Sequence, residues 1–322
     1  MSFLEFGPKL PLHGFHVKPK LLTILMRPES SCQGRSLKRV SQDLRLRIAA
    51  IDFLNPAPLM WDFEHPPLDG PLATRYQIDR MLPAECANRL ASGTADIGLV
   101  PIAALANHPG LRILPGCVIA SKARVRSLLL VRRASQPLNA VHTVAADMAS
   151  RATLAYAHIL FHKWGNPAVP FLPMVADLDS MLERADAAIL IGDPALMALE
   201  ERANRYERTG EDLAYHDMAG EWRGLTGLPF VSAVWAMTGR GPVDDRIIAD
   251  FIESRDHGMK NIDALTAEWS RKLPLSEDTI RTYLTTNIHY VLDDDCLEGM
   301  RVFFRMAAEC GVLPEYNFCI NG

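Results

Sequence analysis

Residues 46–59 read Leu-Arg-Ile-Ala-Ala-Ile-Asp-Phe-Leu-Asn-Pro-Ala-Pro-Leu, and this stretch decides the fold. Its first six residues have the length and apolar content of a buried strand, which ends at the polar turn 52–55. Asn55 precedes Pro56, so its backbone is biased away from the helical region. Pro56 or Pro58 can open a helix at its first turn, where a missing N–H has no consequence. A buried strand that leads through a polar turn into a helix indicates an α/β protein.

The same alternation continues along the chain. Further strands are predicted at 96–100, 111–120, 126–133, 142–146, 187–191 and 230–238, and helices at 83–92, 101–107, 150–164 and 177–185. Strands that alternate with helices favour parallel pairing. From residue 243 to the end the pattern is helical, with segments at 243–257, 260–271, 276–287 and 294–310. Because domains contain ~100–200 residues, a chain of 322 residues predicts two compact units.

Charge is unevenly distributed along the chain. Residues 1–45 contain eight Lys and Arg and three acids, so they carry +5 and the remainder −9 of the net charge of −4. This segment is rich in Pro and Gly and has no apolar run of secretory-signal length, so we predict a basic, disordered extension. A targeting or anion-binding role is the alternative. The acidic body indicates no nucleic-acid partner, and no apolar stretch approaches the ~20 residues of a membrane span.

Cysteines and short motifs exclude several classes of protein. The six cysteines form no C-x-x-C pair, which favours reduced thiols in a cytoplasmic protein over a disulfide framework or a zinc knuckle. Phosphate-loop, dinucleotide and G-x-S-x-G hydrolase motifs are absent. His158 and His162 lack the glutamate of a zinc-protease motif, and residues 293–295 are predicted to form the acidic first turn of the last helix. We expect no metal, cofactor or obligatory protein partner.

Polar turns follow three apolar strands, at 52–55, 147–153 and 192–195. Ligands of open α/β sheets bind at the carboxyl ends of strands, so these turns are candidate site segments. In the second turn, Ser150, Arg151 and Thr153 stand at a helix start. Backbone N–H groups, hydroxyls and a guanidinium there can form an anion site, and simple helix capping is the alternative.

Two further positions are candidates for the same site. Arg126 and Ser127 open a predicted strand and can bring one more cation and one more hydroxyl nearby. An inert serine at a strand end is the alternative for Ser127. Asp193 can line a cleft, or it can cap the helix that Pro194 opens.

Seven blocks together carry a resemblance to a known family. They are residues 47–59 (RIAAIDFLNPAPL), 90–101 (LASGTADIGLVP), 113–121 (ILPGCVIAS), 125–130 (VRSLLL), 147–153 (DMASRAT), 188–196 (AILIGDPAL) and 225–235 (LTGLPFVSAVW). In this order they resemble the chorismate dehydratases of the futalosine route to menaquinone. The resemblance covers about residues 46–238, and the helical tail has the expected length.

The resemblance implies a two-lobed α/β fold like that of the type II periplasmic binding proteins, with a central ligand cleft and a helical C-terminal part. Lobe 1 is expected at 46–131 plus 239–322 and lobe 2 at 132–229. Segments 127–132 and 232–238 are the expected crossovers, the second forming the end of a strand at 230–238. The split first lobe would reconcile two compact units with a single, interleaved chain.

The implied reaction converts chorismate into 3-(1-carboxyvinyloxy)benzoate and water by loss of a ring proton and the neighbouring hydroxyl. Aromatisation drives it, so no redox cofactor or metal is demanded. The resemblance assigns the catalytic roles to Asn55 and Ser127. It implies that Arg126, Ser150, Arg151, Thr153 and Asp193 bind the substrate. No conventional base is evident, and the substrate's own enolpyruvyl carboxylate is a candidate acceptor for the proton.

Departures from the family pattern and other readings stay open at this point. Asp52, Phe53, Ile102, Met148 and Ala152 differ from the residues usual in the family, and most of them remove a hydroxyl. A shifted substrate is therefore one alternative. The later naphthoate synthase of the same pathway, a non-catalytic small-anion binding protein of this fold and a ligand sensor are the others.

Overall fold

The computed structural model describes residues 45–65, 71–147, 151–239, 244–318 and residue 320. The predicted extension, apart from Arg45, and the predicted site residue Ser150 lie outside the described residues. No described helix is both long and apolar enough to cross a membrane.

The described strands form two sheets. They are β1 (Leu46–Ile51), β2 (Tyr76–Met81), β3 (Ile97–Pro101), β4 (Arg112–Ser121), β5 (Leu128–Arg133), β6 (Val144–Asp147), β7 (Phe171–Met174), β8 (Ala187–Ile191), β9 (Leu213–Asp217), β10 (Phe230–Met237) and β11 (His289–Val291). The first sheet has the order β11-β4-β10-β3-β1-β2, and the second has the order β7-β6-β8-β5-β9. Both sheets belong to one compact unit, Asp43–Gly322.

Helices cover the sheets and form most of the C-terminal part. They are α1 (Trp61–Glu64), α2 (Pro71–Arg75), α3 (Pro83–Ala91), α4 (Ala103–Asn107), α5 (Arg151–Lys163), α6 (Leu178–Arg184), α7 (Asp193–Glu200), α8 (Arg202–Thr209), α9 (Met218–Thr226), α10 (Asp245–Lys260), α11 (Ile262–Trp269), α12 (Glu277–Thr282) and α13 (Asp294–Glu309). Short 3₁₀ turns occur at Ala57–Met60 and Leu138–Ala140, and a π-helical turn at Tyr283–Asn287 follows α12.

The prediction of parallel pairing holds for only part of each sheet. β1 pairs in parallel with β2 and β3, and β6 pairs in parallel with β7 and β8. However, β10 is antiparallel to both β3 and β4, and β5 is antiparallel to both β8 and β9. The reason lies in the chain path, because β5 and β10 are the strands at which the chain changes sheets.

Both of these strands start beside the carboxyl ends of their neighbours. Leu128 pairs with Ile191, the last residue of β8, and Phe230 pairs with Ser121, the last residue of β4. The start of β5, the start of β10 and the ends of β4 and β8 are therefore positioned to border one site. The chain passes from the first sheet to the second between β4 and β5, and it returns between β9 and β10. The lobe limits at 131 and 229 remain predictions.

The central strands of the second sheet are buried on both faces. Along β5, Leu128 and Leu130 belong to the large core that includes the first sheet, whereas Leu129 and Val131 face a smaller core formed with α6. The period of two follows from the pleat of a strand. Burial on both faces also explains why β8 is a continuous apolar run in the sequence.

Candidate active site

A small cavity lies where the ends of these strands meet. Its volume is about 30 Å³. It is lined by Ile51, Phe53, Asn55, Pro83, Pro101, Ile119, Ala120, Val125, Ser127, Leu128, Thr153, Ile191, Gly192, Phe230, Ser232 and Ala233. These residues come from both sheets, at the edge where ligands of α/β proteins bind. Apolar walls around a few polar groups are typical of a small-molecule site.

Ser127 is fixed at the start of β5 by contacts on both its backbone and its side chain. Its carbonyl oxygen accepts a hydrogen bond from the Gly192 N–H at 2.8 Å. The Tyr283 hydroxyl donates to Ser127 Oγ at 2.7 Å, and both side chains are buried. The serine hydroxyl is thus held in one position, and its own proton is left to donate.

Asn55 reaches the same place from the turn after β1. Its side chain approaches the Tyr283 hydroxyl and acts to lower the pKa of that hydroxyl, against the larger effect of burial. Its Oδ1 is buried and has no hydrogen-bond partner among the described residues. Leaving a buried amide oxygen without a partner costs ~1–3 kcal/mol, and a substrate donor that reached this oxygen would relieve that cost. Asn55 and Ser127, predicted as a pair, line the same cavity.

The side chain of Asp193, which follows β8 of the second sheet, contacts the turn after β1 of the first sheet. It is the first residue of α7, but Gly192 is the N-cap residue and no side chain caps this helix end. Instead, Asp193 Oδ1 accepts a hydrogen bond from the Leu54 backbone N–H at 3.0 Å. The capping alternative for Asp193 is therefore wrong. Burial raises the pKa of Asp193 to about 6, and the Leu54 N–H partly opposes that shift.

Phe53 and Gly192 close the cavity beside this hydrogen bond. Gly192 has φ of 69°, and a Cβ at this position would lie 2.8 Å from Phe53 Cε2. Glycine is needed here for its backbone conformation and because the aromatic ring approaches so closely. Phe53, one of the departures from the family pattern, thus forms part of the wall.

Arg126, although adjacent to Ser127, faces a different region. It has φ of 65°, and its backbone N–H donates to Asp217 Oδ2 at 2.7 Å. Its guanidinium forms an ion pair with Glu200. Both Arg126 and Asp217 line a wide groove of about 960 Å³, and Arg126 is not among the residues that line the small cavity.

The predicted anion site is only partly within the described residues. Thr153 is buried and lines the cavity. The backbone of Arg151 begins α5, so the N-terminus of that helix lies at this end. Ser150 lies outside the described residues. That Ser150, Arg151 and Thr153 bind a carboxylate of the substrate stays a prediction.

A second group of polar side chains has ligand atoms that a metal ion can use. Among the described residues, His289, Asp293 and Cys296 bring such atoms within 4.8 Å of one another. Both carboxylate oxygens of Asp293 already have partners. Its Oδ1 caps the helix by accepting a hydrogen bond from the Cys296 N–H at 3.0 Å. Its Oδ2 contacts Lys122 Nζ at 2.6 Å and His289 Nε2 at 3.0 Å. The Lys122 ammonium takes the position of a cation, so we assign this cluster a structural role in capping α13.

Tyr283 is the site residue that sequence reasoning missed. It lies in the π-helical turn, where the Ile288 N–H donates to the Tyr283 carbonyl across five residues. The sequence there was predicted as part of one regular helix, 276–287. No short motif marks a π-helical turn, so nothing in the sequence indicated that this tyrosine would face Ser127.

Comparison with solved structures gives the class of fold. A structural-genomics protein from Archaeoglobus fulgidus superposes with a TM-score of 0.64 at 14% identity, covering 84% of this chain and 98% of that one. A Candida albicans gene product described as having the generic periplasmic binding protein fold gives 0.59 at 16% identity, covering 85% and 92%. The periplasmic aliphatic sulphonate binding protein of Escherichia coli gives 0.58 at 15% identity, covering 84% and 89%. The chain is a two-sheet α/β protein of the periplasmic-binding-protein type, as predicted.

Sequence comparison then gives the family. Residues 46–309 match the family model described as menaquinone biosynthesis, and the chain belongs to this family. A protein of Thermus thermophilus described as chorismate dehydratase is 25% identical over 236 residues, which are 71% of this chain and 85% of that protein. The family resemblance predicted from the seven sequence blocks is confirmed.

Proposed function

We propose that this protein is a lyase that converts chorismate into 3-(1-carboxyvinyloxy)benzoate and water. The single observation that carries the proposal is that Asn55 and Ser127 line one cavity, where the buried Tyr283 hydroxyl holds Ser127 Oγ. The pair provides one acceptor without a described partner, Asn55 Oδ1, and one donor, the Ser127 hydroxyl. The relative described as chorismate dehydratase supports the choice of reaction.

The reaction needs groups that position the substrate and polarise the leaving oxygen. The ring C–H bond at the ether-bearing carbon breaks, and its electron pair completes the aromatic ring. The adjacent C–O bond breaks, and its electron pair leaves with the hydroxyl, which takes up a proton to give water. In the proposal Ser127 donates a hydrogen bond to the leaving hydroxyl, and Asn55 Oδ1 holds the substrate by accepting one. Fixed donors aimed at developing negative charge are a large source of rate enhancement.

Two groups compete for the role of proton acceptor. The first is the substrate's own enolpyruvyl carboxylate, which requires no base from the protein. The second is Asp193, since burial raises its pKa to about 6, within the range that suits general bases. An ionisation of kcat near pH 6 that disappears in Asp193→Asn would support Asp193. A profile that is unchanged in Asp193→Asn would support the substrate carboxylate.

The cavity must open to admit this substrate. About 30 Å³ is room for roughly one water molecule, whereas sites for small organic ligands measure ~300–1,000 Å³. The contacts that have to separate join the segment after β1 to α7: the Phe53 ring against Gly192, and the Leu54–Asp193 hydrogen bond. We propose movement between lobe 1 (46–131 plus 239–322) and lobe 2 (132–229), which would enclose the substrate and exclude water from it.

The predicted anion site at the start of α5 would receive a substrate carboxylate. Thr153 lines the cavity, and the helix N-terminus favours negative charge there. Ser150 and Arg151 would supply further donors. The proposal requires only a small-molecule substrate, and we propose a cytoplasmic location, which the buried free cysteines Cys86, Cys117 and Cys296 support.

The test is to incubate the purified protein with chorismate and follow ultraviolet absorbance and mass. The expected result is an aromatic product lighter than chorismate by one water. A sample of chorismate left unchanged by folded protein, beside an active dehydratase as positive control, would overturn the proposal. If chorismate binds but is not converted, the protein is a small-anion binding protein of this fold. Conversion of a different substrate would point to the later naphthoate synthase.

A further inference from the structure

The direction of hydrogen bonding in the candidate site can be traced donor by donor. Tyr283 has one hydroxyl proton, which it donates to Ser127 Oγ at 2.7 Å. Ser127 Oγ is the acceptor in this hydrogen bond, and the Ser127 hydroxyl has one proton of its own. Donation therefore runs from Tyr283 to Ser127, and it ends at the Ser127 proton.

Burial keeps this direction fixed. The Tyr283 side chain is fully buried, and burial raises the pKa of its hydroxyl well above its ordinary value. Asp193 and Asp217 raise it further. The hydroxyl thus remains a proton donor at neutral pH. In a buried chain of hydrogen bonds, each donor also strengthens the next one.

The location of Tyr283 fits a role in the site rather than in a regular helix. It begins the π-helical turn that interrupts the helical segment after α12. Such turns are rare and occur frequently at functional sites. Tyr283 comes from the C-terminal helical part, whereas Ser127 immediately precedes β5 and Asn55 follows β1, so three distant segments converge at the candidate site.

We propose that Tyr283 is a positioning residue that orients the Ser127 hydroxyl for catalysis. By occupying an acceptor site on Ser127 Oγ, the Tyr283 donor directs the serine proton into the cavity, towards the leaving hydroxyl of the substrate. Tyr283 itself transfers no proton and touches no reacting atom. This inference rests on the proposed dehydratase function and deepens it by naming the group that sets the geometry of Ser127.

The test compares two tyrosine-to-phenylalanine variants. Tyr283→Phe keeps the buried ring and removes the hydroxyl. The matched control is Tyr290→Phe, because Tyr290 is also buried, and its hydroxyl has no partner among the described residues. We expect Tyr283→Phe to lower kcat about 10- to 100-fold with little change in KM, since a donor acting through Ser127 should matter less than a direct one. Tyr290→Phe should leave both constants unchanged.

A double variant separates positioning from general structural damage. If Tyr283 acts through Ser127, adding Tyr283→Phe to Ser127→Ala should lower kcat no further, because residues that act as a unit are not additive. A Tyr283→Phe variant with kcat within about twofold of the wild type overturns the inference, and so does an undiminished further loss in the double variant. In both cases wild-type conversion of chorismate still stands. An inactive wild-type protein would instead overturn the proposed function.

Discussion

Arg126 and Ser127 are consecutive in sequence but belong to two regions of very different character. Ser127 borders a cavity of about 30 Å³, whereas Arg126 borders a groove of about 960 Å³. The positive φ of Arg126 turns the chain between them. The groove is the larger and the more open of the two regions, so size alone would favour it as the binding site.

The state of the polar groups reverses that choice. In the groove, Arg126 pairs with Glu200 as exposed or half-buried ions do on many surfaces, and the hydrogen bond with His216 lowers the pKa of Glu221. Asn55 Oδ1 at the cavity and Asn287 Oδ1 at the groove are both buried without a described partner, so the two regions differ chiefly at Asp193 beside the cavity, whose pKa is raised by burial. A buried carboxylate costs stability, and such perturbed groups are concentrated at functional sites.

The largest expected effects are on turnover by variants of the cavity. Ser127→Ala and Asn55→Ala should each lower kcat at least ~100-fold, as loss of a hydrogen bond to the transition state does. The matched control is Lys163→Gln, which removes an exposed cation from the groove and should leave kcat unchanged. Near-normal turnover in both cavity variants, measured with chorismate, would refute their catalytic roles and weaken the contrast between the regions.

The second-largest effect is expected on stability, at Asp193 beside the cavity. Its pKa is about 6 in the folded protein against an ordinary value of 3.8, so the unfolded chain holds its proton less tightly. Above pH 6 the folded state therefore bears the full penalty of a buried carboxylate, and below pH 4 it bears none. Asp193→Asn should therefore raise the free energy of unfolding by up to about 3 kcal/mol at pH 7.5.

Urea unfolding between pH 4 and pH 7.5 measures this difference. The gain from Asp193→Asn should shrink as the pH falls from 6 to 4. Asp263→Asn is the control, because Asp263 is 88% exposed, and its substitution should change stability by no more than ~0.5 kcal/mol. A gain that does not depend on pH would show that the carboxylate of Asp193 carries no burial penalty.

A third and smaller effect is expected from glycine substitutions in the two regions. Gly192→Ala should lower the free energy of unfolding by about 2 kcal/mol, since it places a Cβ at φ 69° and against the Phe53 ring. Adding Phe53→Leu should recover the steric part of that loss. Gly224→Ala in α9 borders the groove, where nothing lies within 4 Å of a new Cβ, and should stabilise by ~0.5–1 kcal/mol. Thermal unfolding that ranks the two variants the other way would contradict this explanation.

Sequence reasoning succeeded where a segment is buried and regular. β1, β8 and the helices of the C-terminal part were predicted close to their observed bounds because apolar runs and helical periodicity mark them. It missed β2, β7, β9 and β11, which lie at the ends of the sheets. β2, β7 and β9 are largely half-buried or exposed, so their apolar residues alternate only weakly. β11 is only three residues long, which is too short to show an alternating pattern.

In the candidate site, likewise, residues within one sequence block were predicted, whereas contacts between distant segments were not. Asn55 and Ser127 were found through sequence blocks, and in the structure both line one cavity, where Tyr283 hydrogen-bonds Ser127. Tyr283 lies 156 residues from Ser127, and no periodicity connects them. Likewise, the bond from Leu54 N–H to Asp193 spans 139 residues, so a local capping role was the natural but incorrect alternative. Contacts of this range depend on how the sheets pack, which no single segment encodes.

The smallest expected effect is at Arg126, which lies in the groove but directly precedes Ser127 of the cavity. Its predicted role as a carboxylate ligand requires its guanidinium to leave Glu200 and turn from the groove into the cavity. An exposed or half-buried ion pair contributes only ~0–1 kcal/mol, so Arg126→Gln should leave stability almost unchanged. We expect kcat/KM for chorismate to change by less than about threefold, which corresponds to under ~1 kcal/mol. A rise in KM of more than about tenfold would show instead that Arg126 reaches the substrate when the cavity opens, and the two regions would then form one site during turnover.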